Sequence, residues 1–124
     1  MAGRVLEGLQ VLVVEDEAMI AMLIEDFLGE LGAIPVKVAA AMDDAASCIS
    51  SLNFDLAILD VNLHGQVTYP LADMLIERGI PFVFATGYGA AGLPPKFRTV
   101  PILQKPFLPE HLAATLLAAR GSAA

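Results

Sequence analysis

Five short, largely apolar runs alternate with helical segments along this chain, and that alternation restricts the fold more than any other feature. The runs occupy residues 11–14, 35–39, 56–59, 81–85 and 101–104. Runs of this length bounded by turn residues are typical of buried strands. An alternation of strands and helices predicts an α/β protein with a parallel sheet covered by helices on both faces.

Helical patterns follow the first two runs. Residues 17–31 repeat apolar side chains at helical spacing, and Gly32 is expected to end this first helix. Asp43 or Asp44 is expected to cap a second helix.

The sequence indicates the later helices with unequal strength. A third helix is expected from about Pro70 to Gly79. Glycine and proline residues between positions 87 and 95 leave room only for a short turn at 95–98. A final helix is expected over 109–120. The fourth helix of the pattern is therefore short or irregular.

Right-handed crossovers leave few arrangements of five parallel strands, and the flavodoxin-like order 2-1-3-4-5 is the commonest. We therefore expect a doubly wound (βα)5 sheet in a single domain over residues 1–124, with its core at about 9–120. In that order strands 1 and 3 are neighbours at the switch point, where α/β proteins bind their ligands.

Charged residues follow three of the predicted strands. Glu15 and Asp16 come after the first, Asp60 after the third and Lys105 after the fifth. Each acid alone could simply favour a helix start or a turn. Three carboxylates at one sheet edge repel each other, so together they favour a bound cation. The group predicts a site for Mg²⁺ and a phosphoryl group.

Within that group Asp60 is interpreted as the nucleophile. Its carboxylate is ionised at neutral pH and needs no general base to attack phosphorus. The charge that develops on the phosphoryl oxygens could be met by the Lys105 ammonium and the Thr86 hydroxyl. His64, close to Asp60 in the chain, is interpreted as a solvated loop residue.

Composition excludes several classes of function. The chain has a net charge of −7 and no basic stripe, so direct nucleic-acid binding is not expected. The longest uncharged stretch, residues 79–95, is interrupted by glycine and proline, so no membrane span is expected. A single cysteine and the absence of an apolar leader favour a cytoplasmic protein.

Four motifs carry a resemblance to a known family. They are Val14-Glu15-Asp16, Leu59-Asp60-Val61-Asn62, Phe84-Ala85-Thr86-Gly87 and Gln104-Lys105-Pro106-Phe107. In order and spacing they resemble the receiver domain of two-component response regulators. The third motif, with Tyr88, is similar to that of a subgroup of receivers often found as single-domain proteins in alphaproteobacteria.

The resemblance implies specific roles. Asp60 would accept a phosphoryl group from a histidine kinase or a histidine phosphotransfer protein. Asp16, Asp60 and the Asn62 backbone carbonyl would ligate Mg²⁺, with Glu15 acting through water. Thr86 and Lys105 would contact the phosphoryl group, and the Lys105–Pro106 peptide bond would be cis.

The chain departs from the family pattern in two places. Ile102 stands where receivers usually carry a switch Tyr or Phe, so signal propagation is expected to differ. The Gly/Pro-rich segment from Tyr88 to Thr99 replaces a regular helix. Our hypothesis is that this segment is mobile without phosphate and orders when Thr86 engages it.

Two other functions remain open. A phosphatase of the haloacid-dehalogenase type also uses an Asp nucleophile, but it needs a second Asp where this chain has Asn62. A phosphate-independent receiver that acts only by binding is the other alternative. No output domain is visible after about Arg120. A stand-alone receiver acting on a downstream protein partner is expected, and a receiver excised from a hybrid kinase is the alternative.

Overall fold

The sheet of the protein is built as the alternation predicts. The computed structural model describes residues 4–87 and 92–122. Its strands are β1 (Gln10–Val14), β2 (Ile34–Ala39), β3 (Leu56–Asp60), β4 (Asn62–Leu63), β5 (Gln66–Val67), β6 (Phe82–Thr86) and β7 (Ile102–Gln104). Five of them form a parallel sheet in the order β2-β1-β3-β6-β7, and β4 and β5 form a separate hairpin. Apart from the hairpin, this is the predicted order 2-1-3-4-5, and the predicted flavodoxin-like fold class is confirmed.

Helices cover both faces of this sheet. They are α1 (Ala18–Glu30), α2 (Met42–Ser51), α3 (Tyr69–Arg78) and α4 (Pro109–Ser122). Helices α1 and α4 contribute to one hydrophobic cluster, and α2 and α3 to the other. Strand β1 shows why the runs of the central strands are apolar at every position, because its side chains alternate between the two clusters. No helix in the described residues has the length and apolar character needed to cross a membrane.

Between β6 and β7, the described residues contain one helical element, a 3₁₀ turn at Pro95–Phe97. This agrees with the short turn expected at 95–98. Phe97 is fully buried, and its ring centroid lies 5.4 Å from those of both Phe84 and Tyr69. Next to it, the Lys96 ammonium pairs with Asp73 of α3 at 2.9 Å. The turn is therefore held onto α3 and β6 by aromatic packing and an exposed ion pair.

Two of the predicted helix ends are confirmed and one predicted cap is wrong. Gly32 and Gly79 have φ angles of +87° and +70°, the left-handed conformation that glycine adopts without strain. Helix α2, however, is preceded by Ala41 as the N-cap residue and has no side-chain cap. Asp43 and Asp44 lie in its first turn instead, where their carboxylates interact favourably with the helix dipole.

The segment expected to be a loop around residues 62–66 is a β-hairpin. Leu63 pairs with Gln66, which leaves a two-residue turn at His64 and Gly65. Both turn residues have positive φ, +49° and +83°, as a tight hairpin turn of the I′ type requires. A His-Gly pair is a weaker signal for this turn than Asn-Gly or Asp-Gly, and strands of two residues show no apolar alternation.

Strand β2 lies at one edge of the sheet and pairs irregularly with β1. Val11 faces Pro35 but Leu12 faces Lys37, so the register shifts by one residue between them. Val36 is accommodated as an extra residue on the outer strand, which is the arrangement of a bulge.

Residues ahead of β1 also pack against the core. Leu6 is fully buried, and its backbone N–H donates to the Leu31 carbonyl at 2.9 Å. The Gly8 N–H donates to the Gly32 carbonyl at the same distance. A Cβ atom on Gly32 would lie 3.0 Å from the backbone of Glu7, so this close approach depends on glycine. The N-terminal turn thus closes one end of the cluster between α1 and α4.

The burial of Leu6 gives a prediction. Leu6→Ala is expected to lower the free energy of unfolding by about 2 to 4 kcal/mol, because it removes apolar contacts and leaves a cavity. Urea unfolding monitored by circular dichroism measures the change. Val5→Ala, at a position that is 47% exposed, is the matched control and should change stability by less than about 0.5 kcal/mol. Equal effects of the two substitutions would contradict the packing of this turn.

Candidate functional site

Four strand ends bring the predicted site residues together at one edge of the sheet. Glu15 and Asp16 follow β1, Asp60 ends β3, Thr86 ends β6 and Lys105 follows β7. Strands β1 and β3 are neighbours at the point where the strand order reverses. An open cleft of about 410 Å³ lies there, lined by Asp16, Glu17, Asp60, Val61, Asn62, Thr86, Gly87 and Lys105. All the predicted residues except the buried Glu15 line this cleft.

Three carboxylates form the negative part of the site. Oxygen atoms of Glu15, Asp16 and Asp60 lie within 4.8 Å of one another. Glu15 is 1% exposed and Asp60 8% exposed, so water screens their charges poorly. Closely spaced carboxylate oxygens are the ligands that a hard divalent cation such as Mg²⁺ prefers. The donor set therefore fits the cation predicted from the sequence.

Lys105 supplies the positive charge. Its ammonium lies 2.9 Å from Glu15 Oε1 and 3.3 Å from Asp60 Oδ2. Burial by itself would lower the pKa of Lys105, but the hydrogen bond to Glu15 and the charges of both acids outweigh it and raise the pKa. The ammonium therefore stays protonated, and it lies beside a cluster of three carboxyl groups.

Burial has a marked effect on the ionisation of Glu15. Burial raises the pKa of this carboxyl from 4.5 to about 7. Hydrogen bonds from Lys105 and from the Glu17 backbone N–H favour the charged form, and repulsion from Asp60 opposes it. Its two oxygens already accept those bonds, Oε1 from Lys105 and Oε2 from Glu17 at 3.1 Å. Glu15 is thus the acid that the site holds least easily as a carboxylate.

The hairpin β4–β5 supplies hydrogen bonds to the other two acids. The backbone N–H of His64 donates to Asp16 Oδ2 at 2.9 Å, and that of Asn62 donates to Asp60 Oδ1 at 3.2 Å. Burial would raise the pKa of Asp16, but the bond from His64 and other local bonds outweigh it and lower the pKa. The His64 ring is 66% exposed, in keeping with its interpretation as a solvated loop residue. Sequence reasoning missed the contribution of its backbone.

The ends of β6 and β7 are tied to each other beside the acids. The Lys105 N–H donates to the Thr86 carbonyl at 2.9 Å, and the Gln104 side-chain amide donates to the Gly87 carbonyl at 3.1 Å. These bonds fix the backbone that follows the Thr86 side chain, and Thr86 itself is 6% exposed. The Lys105–Pro106 peptide bond is cis, as the resemblance implied.

Family membership follows from comparison with known proteins. The family model described as the response regulator receiver domain matches residues 11–117. The chain belongs to this family. The resemblance inferred from the four motifs is confirmed, and receivers act as signalling switches of two-component systems rather than as metabolic enzymes. Among curated proteins, no sequence gives a significant match.

Solved structures similar to this receiver include SdrG and the receiver domain of PhyR. SdrG from Sphingomonas melonis Fr1 is 43% identical with a TM-score of 0.82, over 90% of this chain and 96% of SdrG. The BeF3-activated conformation of SdrG, from Pseudomonas melonis Fr1, is 41% identical with a TM-score of 0.78, over 97% and 99% of the two chains. The receiver domain of PhyR from Erythrobacter litoralis is 27% identical with a TM-score of 0.78, over 92% and 91%.

One departure from the family pattern lies within the described residues, and the other does so only in part. Ile102, at the position of the usual switch aromatic, is half-buried on β7. Tyr88 and the next three residues lie outside the described part of the chain, so the hypothesis of a mobile segment from Tyr88 to Thr99 stays a hypothesis. The C-terminal part of that segment is anchored through the buried Phe97.

The raised pKa of Glu15 gives a prediction for the metal-free receiver. The pKa of Glu15 is higher in the folded than in the unfolded chain, so ionising it lowers the free energy of unfolding. This loss is absent below about pH 4.5, grows up to about pH 7 and is complete above that pH. Glu15→Gln has the shape of the neutral acid at every pH. It is expected to raise the free energy of unfolding by about 2 kcal/mol at about pH 8 and by far less at about pH 5.

Urea unfolding in EDTA at the two pH values measures this difference. Glu77→Gln, on the exposed face of α3, is the matched control and should change stability little at either pH. An advantage of Glu15→Gln that is the same at both pH values would contradict a raised pKa at this position.

Proposed function

We propose that this receiver is a phosphoacceptor switch in which Asp60 takes a phosphoryl group from a histidine kinase or a histidine phosphotransfer protein. The observation that supports this most directly is the position of the Asp60 carboxylate. It lies in the cleft, at the end of a rigid central strand, with an ammonium on one oxygen and a backbone N–H on the other. Such an oxygen is oriented and accessible, which is what a nucleophile at phosphorus requires.

Mg²⁺ is the cofactor proposed for this site. Asp16, Asp60 and the Asn62 backbone carbonyl would hold it directly. Glu15 would act through water, in keeping with its buried position and with both of its oxygens already accepting hydrogen bonds. When bound, the ion supplies positive charge that offsets repulsion between these carboxylates and an anionic phosphoryl group.

The remaining residues account for the transfer. An oxygen of Asp60 forms a bond to phosphorus while the bond from phosphorus to the donor histidine nitrogen breaks. The bonding electron pair stays on that nitrogen, and the ring, protonated on its other nitrogen, leaves as neutral imidazole. Lys105 and the Thr86 hydroxyl are proposed to contact the phosphoryl oxygens that gain charge in the transition state. No residue is required as a general base, since a carboxylate, unlike a hydroxyl, has no proton to lose when it attacks phosphorus. The phosphorylated form would then change its binding to a downstream protein partner.

Two observations support this proposal over the alternatives. The Asn62 side-chain oxygen accepts a hydrogen bond from the Gly65 N–H at 2.8 Å, so an amide within the turn occupies the place where a phosphatase of the haloacid-dehalogenase type needs an acid. For SdrG, a relative that is 41% identical, a BeF3-activated conformation has been solved. Beryllofluoride mimics a phosphoryl group, which favours a phosphate-dependent receiver over a purely binding one.

The proposal predicts covalent labelling of one residue. Incubation with acetyl phosphate and Mg²⁺ is expected to add one phosphoryl group, detected by intact mass, and EDTA should prevent the gain. Asp60→Asn should abolish it, while Asp73→Asn, an exposed aspartate of α3, should label like wild type. Labelling that persists in Asp60→Asn would place the nucleophile elsewhere. No labelling in wild type, together with no response to beryllofluoride in NMR spectra, would favour the phosphate-independent alternative.

The proposed metal ligand Asp16 gives a second prediction. Asp16→Ala is expected to raise the Mg²⁺ concentration for half-maximal labelling by about 10- to 100-fold. Asp16→Asn should do so as well, although its side-chain oxygen can still accept the bond from His64. Asp26→Ala, on the exposed side of α1, is the control. Near-normal Mg²⁺ dependence in Asp16→Asn would mean that Asp16 acts only by anchoring the hairpin.

A further inference from the structure

One buried polar residue has no part in the proposed chemistry. Among the residues whose burial the structure describes, four polar or charged side chains are buried: Glu15, Asp60, Thr68 and Thr86. Three of them belong to the site. Thr68 is the fourth, and it is fully buried. A buried hydroxyl costs free energy unless it forms hydrogen bonds, so its partners indicate its role.

Those partners are not the ones its position suggests. Thr68 is the N-cap residue of α3, where a threonine oxygen ordinarily accepts a bond from a backbone N–H of the helix. No such bond forms here. The hydroxyl instead donates backwards, to the carbonyl of Asp60 at 2.5 Å and to that of Val61 at 3.2 Å. The Thr68 backbone N–H also donates to the Val61 carbonyl, at 2.9 Å.

We propose that Thr68 is a positioning residue for phosphoryl transfer, which fixes the peptide carbonyl of Asp60 and closes the hairpin over residues 61–68. This inference rests on the proposed function. The Asp60 carbonyl belongs to the residue whose carboxylate attacks phosphorus. A rotation of that peptide would move the carboxylate relative to Lys105, and small displacements of a reacting group lower its rate strongly.

The closed hairpin also extends the effect of Thr68 to the other acids. The hairpin carries the N–H groups that bind Asp60 and Asp16, and the Asn62 carbonyl proposed as a metal ligand. Without the hydroxyl, the Val61 and Asp60 carbonyls lose a buried donor and the hairpin loses one of its closing bonds. We therefore expect both the rate of phosphorylation and the affinity for Mg²⁺ to depend on Thr68.

Three variants separate this role from a general effect on folding. Thr68→Val keeps the shape and removes the hydroxyl, whereas Thr68→Ser keeps the hydroxyl. Thr115→Val is the matched control, because the Thr115 hydroxyl also donates to a backbone carbonyl, that of His111 at 2.7 Å, but within α4. Each variant is compared with wild type for its rate of labelling by acetyl phosphate, its Mg²⁺ dissociation constant by NMR titration, and its urea unfolding.

The expected result is a loss specific to the hydroxyl. In Thr68→Val the labelling rate at saturating Mg²⁺ should fall by about ten-fold, the scale of one lost buried hydrogen bond, and the Mg²⁺ dissociation constant should rise. In the NMR spectrum of Thr68→Val, the signal of the His64 backbone amide should shift relative to wild type. The labelling rate and Mg²⁺ dissociation constant of Thr68→Ser should stay within about two-fold of the wild-type values, and those of Thr115→Val should equal the wild-type values. If Thr68→Val does not fold, Thr68→Cys, with its weak thiol donor, carries the same expectation.

The outcomes also separate this inference from the proposed function. A normal labelling rate and Mg²⁺ affinity in Thr68→Val would overturn the role of Thr68 while leaving Asp60 as the phosphoacceptor. Equal losses in Thr68→Ser and Thr68→Val would overturn it too, since packing rather than the hydroxyl would then be responsible. If the wild-type protein binds Mg²⁺ but is not labelled, the proposed function is overturned, and the Mg²⁺ dissociation constants of the variants still test the role of Thr68. If the wild-type protein neither binds Mg²⁺ nor is labelled, the proposed function and the role of Thr68 are both overturned.

Discussion

In the described part of the chain, a single ammonium, that of Lys105, contacts the carboxylates of Glu15 and Asp60. With Asp16 beside them, the group carries more negative than positive charge in a poorly screened position. The folded chain tolerates this because each charge sits at the end of a strand that the sheet holds in place. The strand order brings together residues as distant in sequence as Glu15 and Lys105. The hydrophobic packing on both faces of the sheet offsets the destabilising effect of this charge cluster.

The site divides into a rigid part and a closed hairpin. Asp60 and Thr86 are the last residues of central strands, whose backbone is fixed by neighbours on both sides. Asn62 and His64 lie on the hairpin, which is joined to the acids through backbone N–H groups. Groups on strands keep their geometry at little cost, whereas the hairpin is positioned by the buried Leu63 side chain and a few hydrogen bonds. This difference is the physical basis for the role proposed for Thr68, which does not line the cleft.

Sequence reasoning succeeded where the pattern was long and failed where it was short. The strands, the sheet order and the meeting of Asp60 with Lys105 follow from runs of apolar residues and from the handedness of crossovers. The hairpin escaped notice because two-residue strands have no periodicity. The cap of α2 was misplaced because a carboxylate is favoured both at the N-cap and in the first turn. The burial of Thr68 could not be read from the sequence, since a threonine ahead of a helix usually caps it.

The outer strand β2 has a consequence for the behaviour of the protein at high concentration. A chain that is 56% hydrophobic, with a sheet apolar at nearly every central position, is at risk of pairing its free strand edges with those of other molecules. On β2, proline at position 35, the charged Lys37 and the shift in register between them make this edge a poor template for a second chain. The irregularity that looks like imperfect pairing with β1 is thus a protection against aggregation.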